Sequence, residues 1–150
     1  MDSELERFMD ILREGGYKVT PQRIAVLKVL VGNRTHPSAD QIYQEVRKEH
    51  PMISLATVYK TLELLKEMGQ VMELGFSNRS TRYDPQVDPH LNLVCLRCGF
   101  IEDVYETSLN SLTNVVEDAS NFEVHSGRFE LYGLCSTCRS EPVAVAAGVP

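Results

Sequence analysis

The clearest chemistry in this chain comes from four cysteines in two identical pairs, Cys95/Cys98 and Cys135/Cys138. Two thiolates at this spacing can sit on one tight turn and both reach an ion about 2.3 Å away. In a secreted protein the four would indicate two disulfides, whereas in a cytosolic protein they indicate one four-cysteine zinc site. We therefore predict structural zinc, with redox-active thiols as the main alternative.

The stretch HLNLVCLRCG, residues 90–99, carries further candidate ligands just before the first cysteine pair. His90 offers an imidazole, and Asn92, two residues later, offers a neutral amide oxygen. That oxygen is a weaker donor to a transition metal than an imidazole nitrogen. The spacing alone leaves open whether this segment serves one metal ion or two.

The length of the chain and the distribution of its charges indicate how the domains that position these residues are organised. A chain of 150 residues can form one ordinary domain or two small ones. Residues 1–84 hold 12 basic and 12 acidic side chains, whereas residues 85–150 hold 3 and 9, so the second part carries the whole net charge of −6. The segment DPQVDP, residues 84–89, adds two Asp-Pro steps that break regular structure. We place a domain boundary there.

The same composition bears on location. No apolar run reaches the roughly 18 residues that a membrane span needs. The segment MDSELERFMDIL is acidic and amphipathic and has no signal-peptide architecture. We expect a cytoplasmic protein with no membrane partner.

Residues 1–84 have the pattern of several helices followed by a β-hairpin, which is the order of a winged helix-turn-helix. Helix starts are predicted at the capping residues Ser3, Thr20, Ser38 and Ser54. Two short strand-like runs, VMELGF and TRYD, flank SNRS. The last helix is predicted to turn one stripe inward, formed by Leu55, Val58, Leu62 and Leu65.

Five residues of this half are candidates to contact DNA. Thr57, Tyr59 and Lys60 fall on other faces of the last helix, which lies in the major groove in this fold. Arg79 and Arg82, in or beside the hairpin, suit phosphate contacts, which add affinity without sequence information. Helical patterning equally suits a protein-interaction module, in which Tyr59 would simply pack in the core.

Several dispersed segments resemble the ferric uptake regulator superfamily in order and approximate spacing: HPSADQIY, SLATVYKTLELL, TRYD, the C-x-x-C-G after a histidine, and ELYGLCSTC. The resemblance covers roughly residues 5–140. It implies an α+β protein that is a dimeric, metal-responsive transcriptional regulator bound to a double-stranded DNA operator. It also implies the following domains: a winged-helix DNA-binding domain (1–84), a hinge (85–89), an α/β dimerisation and metal-binding domain (90–140) and a disordered tail (141–150).

The resemblance further implies a regulatory metal site with ligands from both domains. Matched one at a time, the ligand positions are His36, Asp84, His90, Asn92 and Asp103. Asn92 stands where the family usually has a second histidine. Each residue alone would be unremarkable, and a one-residue shift of the strand would make Glu102 the ligand instead of Asp103.

Imidazole and carboxylate donors together suit Fe(II), Mn(II) or Zn(II), and a pair of Asp residues favours iron or manganese over zinc. Asp84 and Asp103 resemble the peroxide-sensing branch (PerR) of the family more than the iron-uptake branch. That branch implies that peroxide oxidises a coordinating histidine, here His36 or His90. The alternative within the family is a plain iron- or zinc-responsive repressor of metal uptake.

An enzyme is not expected. The chain shows no nucleophile–base arrangement and no Gly-rich loop that could cradle a phosphate. A dithiol oxidoreductase that uses one cysteine pair remains a remote alternative, although no thioredoxin-like βαβ pattern surrounds either pair. A zinc-binding interaction module without a DNA role is the third possibility.

Overall fold

The computed structural model describes residues 2–31, 33–75, 80–106, 108–125 and 127–140. The chain divides into two compact units, and the boundary falls between Val87 and Asp88. The predicted contact residue Arg79 and the predicted disordered tail, residues 141–150, lie outside the described residues. Within the described part of the chain, no helix is long and apolar enough to cross a membrane.

The first unit is mainly helical. Its described elements are α1 (Asp2–Glu14), α2 (Pro21–Val31), α3 (Ala39–Glu49), α4 (Leu55–Glu67), β1 (Met72–Leu74) and β2 (Arg82–Asp84). The order of four helices and then a two-stranded antiparallel sheet is the one that the sequence predicts for a winged helix.

Three of the four predicted helix caps form as expected. The Ser38 hydroxyl accepts from the Gln41 N–H at 3.2 Å, and the Gln41 side chain accepts from the Ser38 N–H at 2.8 Å, which completes a capping box. Ser54 and Thr20 likewise accept N–H groups of the first turns of α4 and α2. The prediction for Ser3 is wrong, because α1 already includes Asp2.

The core of the first unit is built from the apolar faces of the helices. In α4, Val58, Leu62 and Leu65 are fully buried, whereas Leu55 is only half-buried because it lies at the helix start. Phe8 and Leu12 of α1 belong to the same buried cluster. The buried stripe of α4 is thus shorter than predicted. On the opposite face of the helix, Tyr59 and Lys60 are exposed.

Strand β2 is held on two sides. It pairs antiparallel with β1, in a register that sets Met72 opposite Asp84. On its other side it bridges Ser38, and the Tyr83 N–H donates to the Pro37 carbonyl at 3.0 Å. The residues that lead into α3 therefore run beside the strand that ends at Asp84.

The second unit combines a three-stranded sheet with two helices in its described part. Its elements are β3 (Leu91–Cys95), β4 (Ile101–Val104), α5 (Ser108–Ser120), β5 (Phe129–Gly133) and α6 (Ser136–Ser140). The strand order is β4-β3-β5, with β3 antiparallel to β4 and parallel to β5. The predicted mixture of helix and sheet is confirmed.

Candidate metal sites and nucleic-acid surface

The four cysteines come together because β3 and β5 are parallel and end side by side. Cys95 closes β3 opposite Gly133 of β5, so the turn after β3 and the start of α6 lie at the same edge of the sheet. One sulfur from each cysteine lies within 4.8 Å of the others. The sulfurs of Cys98 and Cys135 are 3.7 Å apart. Four sulfurs placed tetrahedrally at zinc–sulfur distance would be about 3.8 Å apart, so this cluster fits a zinc ion.

Backbone groups around the cluster favour a thiolate. Burial raises the pKa of Cys95, but N–H groups of Cys135, Cys98 and Arg97 donate to its sulfur and bring the pKa down to about 6. The Cys135 N–H lies 3.4 Å from that sulfur. A stabilised thiolate is what a zinc ligand requires.

The same geometry is unfavourable for a redox-active dithiol. Each C-x-x-C pair has one buried member, Cys95 in the first and Cys138 in the second. Burial and hydrogen bonds with the neighbouring thiols together raise the pKa of Cys138 to about 12. A reactive dithiol needs accessible thiolate character, and neither pair presents it on both cysteines.

In the first unit, the structure brings His36 and Asp84 together. Both side chains are 2% exposed, and the His36 Nε2 lies 3.5 Å from the Asp84 Oδ2. Asp84 ends β2, and its other oxygen accepts from the Gln86 N–H at 2.8 Å. A buried imidazole beside a buried carboxylate is a suitable pair of donors for a divalent transition metal.

In the second unit, the structure brings His90, Asn92 and Asp103 together. The His90 Nδ1 lies 2.8 Å from the Asp88 carbonyl oxygen. A carbonyl can only accept, so Nδ1 carries the proton and Nε2 presents a lone pair. That Nε2 lies 3.2 Å from the Asn92 Nδ2 and 3.8 Å from the Asp103 Oδ1. The hydrogen bond to Asp88 thus fixes the tautomer that a metal-binding histidine needs.

Strand pairing decides which carboxylate faces His90. Asp103 pairs with Asn92 across β3 and β4, which puts both side chains on one face of the sheet. Glu102 pairs with Leu93 and is exposed on the opposite face. The structure therefore gathers Asp103, and not the alternative Glu102, with His90 and Asn92.

Asn92 itself has an unusual environment. Its side chain is fully buried, and its Oδ1 has no hydrogen-bond partner within the described ranges of the chain. Because the His90 Nε2 is an acceptor, the amide turns its NH₂ toward that atom and its oxygen away. A buried amide oxygen without a hydrogen bond is costly, and a metal ion or a metal-bound water would satisfy it.

The candidate DNA contacts on α4 lie at its exposed N-terminal end. Tyr59 is 42% exposed and so is not the core residue of the alternative interpretation. Lys60 is exposed, whereas Thr57 is half-buried and bonds Ser54 through its N–H and hydroxyl.

Thr57 and Lys60 line an open groove of about 410 Å³, which the sequence pattern does not predict. Its other wall comes from the residues between α1 and α2 and from the first turn of α2, and includes Lys18, Gln22 and Arg23. The Arg23 guanidinium donates to the Lys18 carbonyl at 2.6 Å and so fixes that loop. The sequence feature that could have indicated this groove is the pair of basic residues, Lys18 and Arg23, on either side of the Thr20-Pro21 helix start.

Arg82, predicted to contact phosphate, makes hydrogen bonds inside the first unit. Its Nη1 donates to the His36 carbonyl at 3.2 Å and to the Gln41 Oε1 at 2.8 Å, and the side chain is half-buried. A phosphate role for Arg82 stays a prediction, but one of its two terminal nitrogens already has protein partners.

Comparison with known proteins gives consistent matches along most of the chain. A model of the ferric uptake regulator family matches residues 14–132. The peroxide-responsive repressor PerR of Staphylococcus aureus is 37% identical over 141 residues, which cover 94% of this chain and 95% of that protein.

Two solved structures are similar along their length. The Campylobacter jejuni peroxide stress regulator is 38% identical, with a TM-score of 0.74, and the match covers 87% of this chain and 98% of that one. The Helicobacter pylori ferric uptake regulator Fur, described as having three functional metal-binding sites, is 25% identical, with a TM-score of 0.77 and 95% of both chains covered.

Proposed function

Because this chain belongs to the ferric uptake regulator family, we propose that it is a metal-dependent, DNA-binding transcriptional repressor of the peroxide-responsive type. The peroxide-responsive type is supported by two similar proteins, one named as a peroxide-responsive repressor and the other as a peroxide stress regulator. Members of this family are regulators and not enzymes, so the dithiol oxidoreductase is set aside. A repressor of this type works in the cytoplasm, where its DNA is.

The four-cysteine cluster holds the structural zinc in this proposal. Cys95 and Cys98 come from the end of β3 and the turn after it, while Cys135 lies between β5 and α6 and Cys138 lies in α6. An ion bound to all four joins segments that are distant in sequence within a unit of only about 50 described residues. Small domains of this kind commonly rely on such a metal for stability.

The regulatory ion, Fe(II) or Mn(II), takes its ligands from both units in this proposal. The first unit supplies His36 and Asp84, and the second supplies His90, Asn92 and Asp103. Support comes from the family resemblance, from the buried His36–Asp84 pair and from the orientation of His90 and Asn92. An ion with ligands on two units stabilises the one placement of the units that satisfies all of them, and this differential affinity is what a metal switch requires.

Two copies of the chain would read two half-sites of an operator. Helix α4 enters the major groove, and Thr57, Tyr59 and Lys60 contact the DNA, with Arg79 and Arg82 near the backbone. The groove that contains Lys18 and Arg23 concentrates positive charge beside α4, which supports a DNA-binding role although the net charge of residues 1–84 is zero.

A homodimer is supported by apolar residues that the second unit leaves uncovered. In α5, Leu112, Val115 and Val116 are between 45% and 61% exposed, and Leu131 of β5 is 57% exposed. Strand β5 also pairs on one side only among the described strands. An exposed apolar helix face and an open strand edge are each suited to pairing with a second copy.

Peroxide sensing is the role proposed for the two histidine ligands. Fe(II), if held by these ligands, would supply the chemistry that activates hydrogen peroxide; peroxide would then insert one oxygen atom into a ring C–H bond of His36 or His90, and its other oxygen atom would leave as water. Oxidation of either ring would change a ligand of the regulatory ion and would so favour release of the ion and then of the DNA. This step distinguishes the peroxide type from a repressor that responds to metal level alone.

Mass spectrometry tests the peroxide type. Zinc-loaded protein is incubated with Fe(II) and peroxide, digested and compared with protein that carries Mn(II) instead. We expect the mass of one oxygen atom on the peptide containing His36 or His90 in the iron sample only. His125, whose side chain is 79% exposed, serves as the internal control and should stay unmodified. Unmodified His36 and His90 would instead favour an iron- or zinc-responsive repressor of metal uptake.

A further inference from the structure

His36 has a backbone conformation that its sequence disfavours. Its φ is +52°, in the left-handed region that residues other than glycine rarely adopt. The next residue is Pro37, and a residue before proline prefers extended backbone. Such a conformation persists only where surrounding contacts impose it. The contacts around His36 therefore determine where its imidazole lies.

Arg82 provides one long-range contact to the His36 backbone. Its Nη1 donates to the His36 carbonyl at 3.2 Å and to the Gln41 Oε1 at 2.8 Å. The two hydrogens of Nη1 thus have two protein acceptors. The Gln41 oxygen also accepts from the Ser38 N–H, so the Arg82 guanidinium is joined to the capping box of α3.

The same strand supplies the carboxylate that the imidazole faces. Arg82 and Asp84 are two residues apart in β2, so strand alternation directs both side chains to one face. Between them, the Tyr83 N–H donates to the Pro37 carbonyl. Strand β2 therefore contacts His36 at both of its ends. Arg82 donates to the His36 carbonyl, and the Asp84 Oδ2 lies 3.5 Å from the His36 Nε2.

We propose that Arg82 is a positioning residue for the regulatory metal site, which fixes the His36 backbone so that the imidazole and the Asp84 carboxylate are arranged for one ion. The inference rests on the proposed function and revises one part of it, since Arg82 then acts on metal affinity rather than as a phosphate contact. Supporting groups behind metal ligands commonly change affinity by about 10- to 100-fold.

Two substitutions separate the two roles. Arg82→Lys keeps the charge but loses the planar Nη1 group whose two hydrogens reach both acceptors, and Arg82→Leu removes the charge and the donors. If Arg82 positions His36, both variants bind Mn(II) at least about tenfold more weakly than wild type. Both then regain wild-type DNA affinity at saturating Mn(II). If Arg82 instead contacts a phosphate, Mn(II) affinity is unchanged in both variants, and the Leu variant binds DNA weakly even at saturating Mn(II). That result would overturn the inference.

The measurement uses the zinc-loaded full chain. Mn(II) affinity is measured by competition with a chelator, and DNA affinity by anisotropy on a duplex selected with the wild-type protein. Lys60→Leu is the matched control, because Lys60 is an exposed cation of the same unit that lines the groove beside α4. It should weaken DNA binding and leave Mn(II) affinity unchanged. Thermal midpoints within a few degrees of wild type show that the variants are folded.

A readout without the regulatory metal keeps this test independent. In metal-free Arg82→Leu, amide hydrogen exchange at Tyr83 should be at least several-fold faster than in wild type, because its acceptor Pro37 follows the released His36. Unchanged exchange would contradict the inference. A wild-type protein that binds no Mn(II) would overturn the proposed regulatory site instead, while the exchange at Tyr83 would still report on Arg82.

Discussion

Replacing Asn92 by leucine should stabilise the protein without its regulatory metal and weaken that metal's binding at the same time. The side chain is fully buried, and its Oδ1 lacks a hydrogen bond within the described residues. Removing such an oxygen relieves about 1–3 kcal/mol, whereas losing the Nδ2 contact with the His90 Nε2 costs about 0.5–1.5 kcal/mol. Leucine has a similar size, so we expect a net gain of roughly 1 kcal/mol in the free energy of unfolding.

The effect on the metal has the opposite sign. If the Asn92 oxygen coordinates the ion directly or through a water, Mn(II) affinity falls by about 10- to 100-fold in the Leu variant. That loss corresponds to roughly 1.4–2.8 kcal/mol. Asn92→Asp is the matched control, because it has the same shape and keeps an oxygen donor with a negative charge. It should bind Mn(II) at least as tightly as wild type.

Urea unfolding of zinc-loaded protein, with and without Mn(II), measures both effects. The zinc-loaded state is used throughout so that the four-cysteine cluster stays intact. A Leu variant that is less stable without Mn(II) would show that the Asn92 oxygen has a good partner. A Leu variant with wild-type Mn(II) affinity would show that Asn92 takes no part in coordination, and the reasoning from its buried oxygen would be refuted.

Three further variants test the other parts of the proposal. Cys138→Ser should lose stoichiometric zinc, as measured by atomic absorption. In calorimetry, the unfolding transition of the second unit should disappear while that of the first unit remains. Full retention of zinc would contradict the four-cysteine site. Lys60→Ala should lower the slope of log affinity against log salt by about one per subunit, and an unchanged slope would exclude a phosphate contact. Val115→Asp should give a folded monomer in sedimentation velocity, because Val115 is 61% exposed in the single chain, and a stable dimer would place the interface elsewhere.

Features encoded by neighbouring residues could be predicted from the sequence. The caps at Ser38 and Ser54 are local hydrogen bonds, and the structure contains both. The mixed fold follows from helical and strand periodicities, which also depend on short segments. The cysteine spacing likewise indicated one cluster, and the structure brings all four sulfurs together.

Features that depend on contacts between distant segments could not be predicted. Arg82 bonds the carbonyl of His36, a residue 46 positions away, and nothing in TRYD indicates that partner. The choice between Asp103 and Glu102 needed the register of β4 against β3, which a one-residue shift would reverse. The basic groove of Lys18 and Arg23 forms only when the start of α2 packs near α4.

The most direct test of the metal switch is DNA affinity measured as a function of regulatory metal in zinc-loaded protein. Duplexes are first selected from a pool with a randomised segment, using Mn(II)-loaded protein, and affinity for the selected duplex is then measured across an Mn(II) titration. We predict an inverted repeat and a gain in affinity of about 10- to 100-fold on Mn(II) binding. Equal affinity with and without Mn(II), at constant zinc content, would contradict the account.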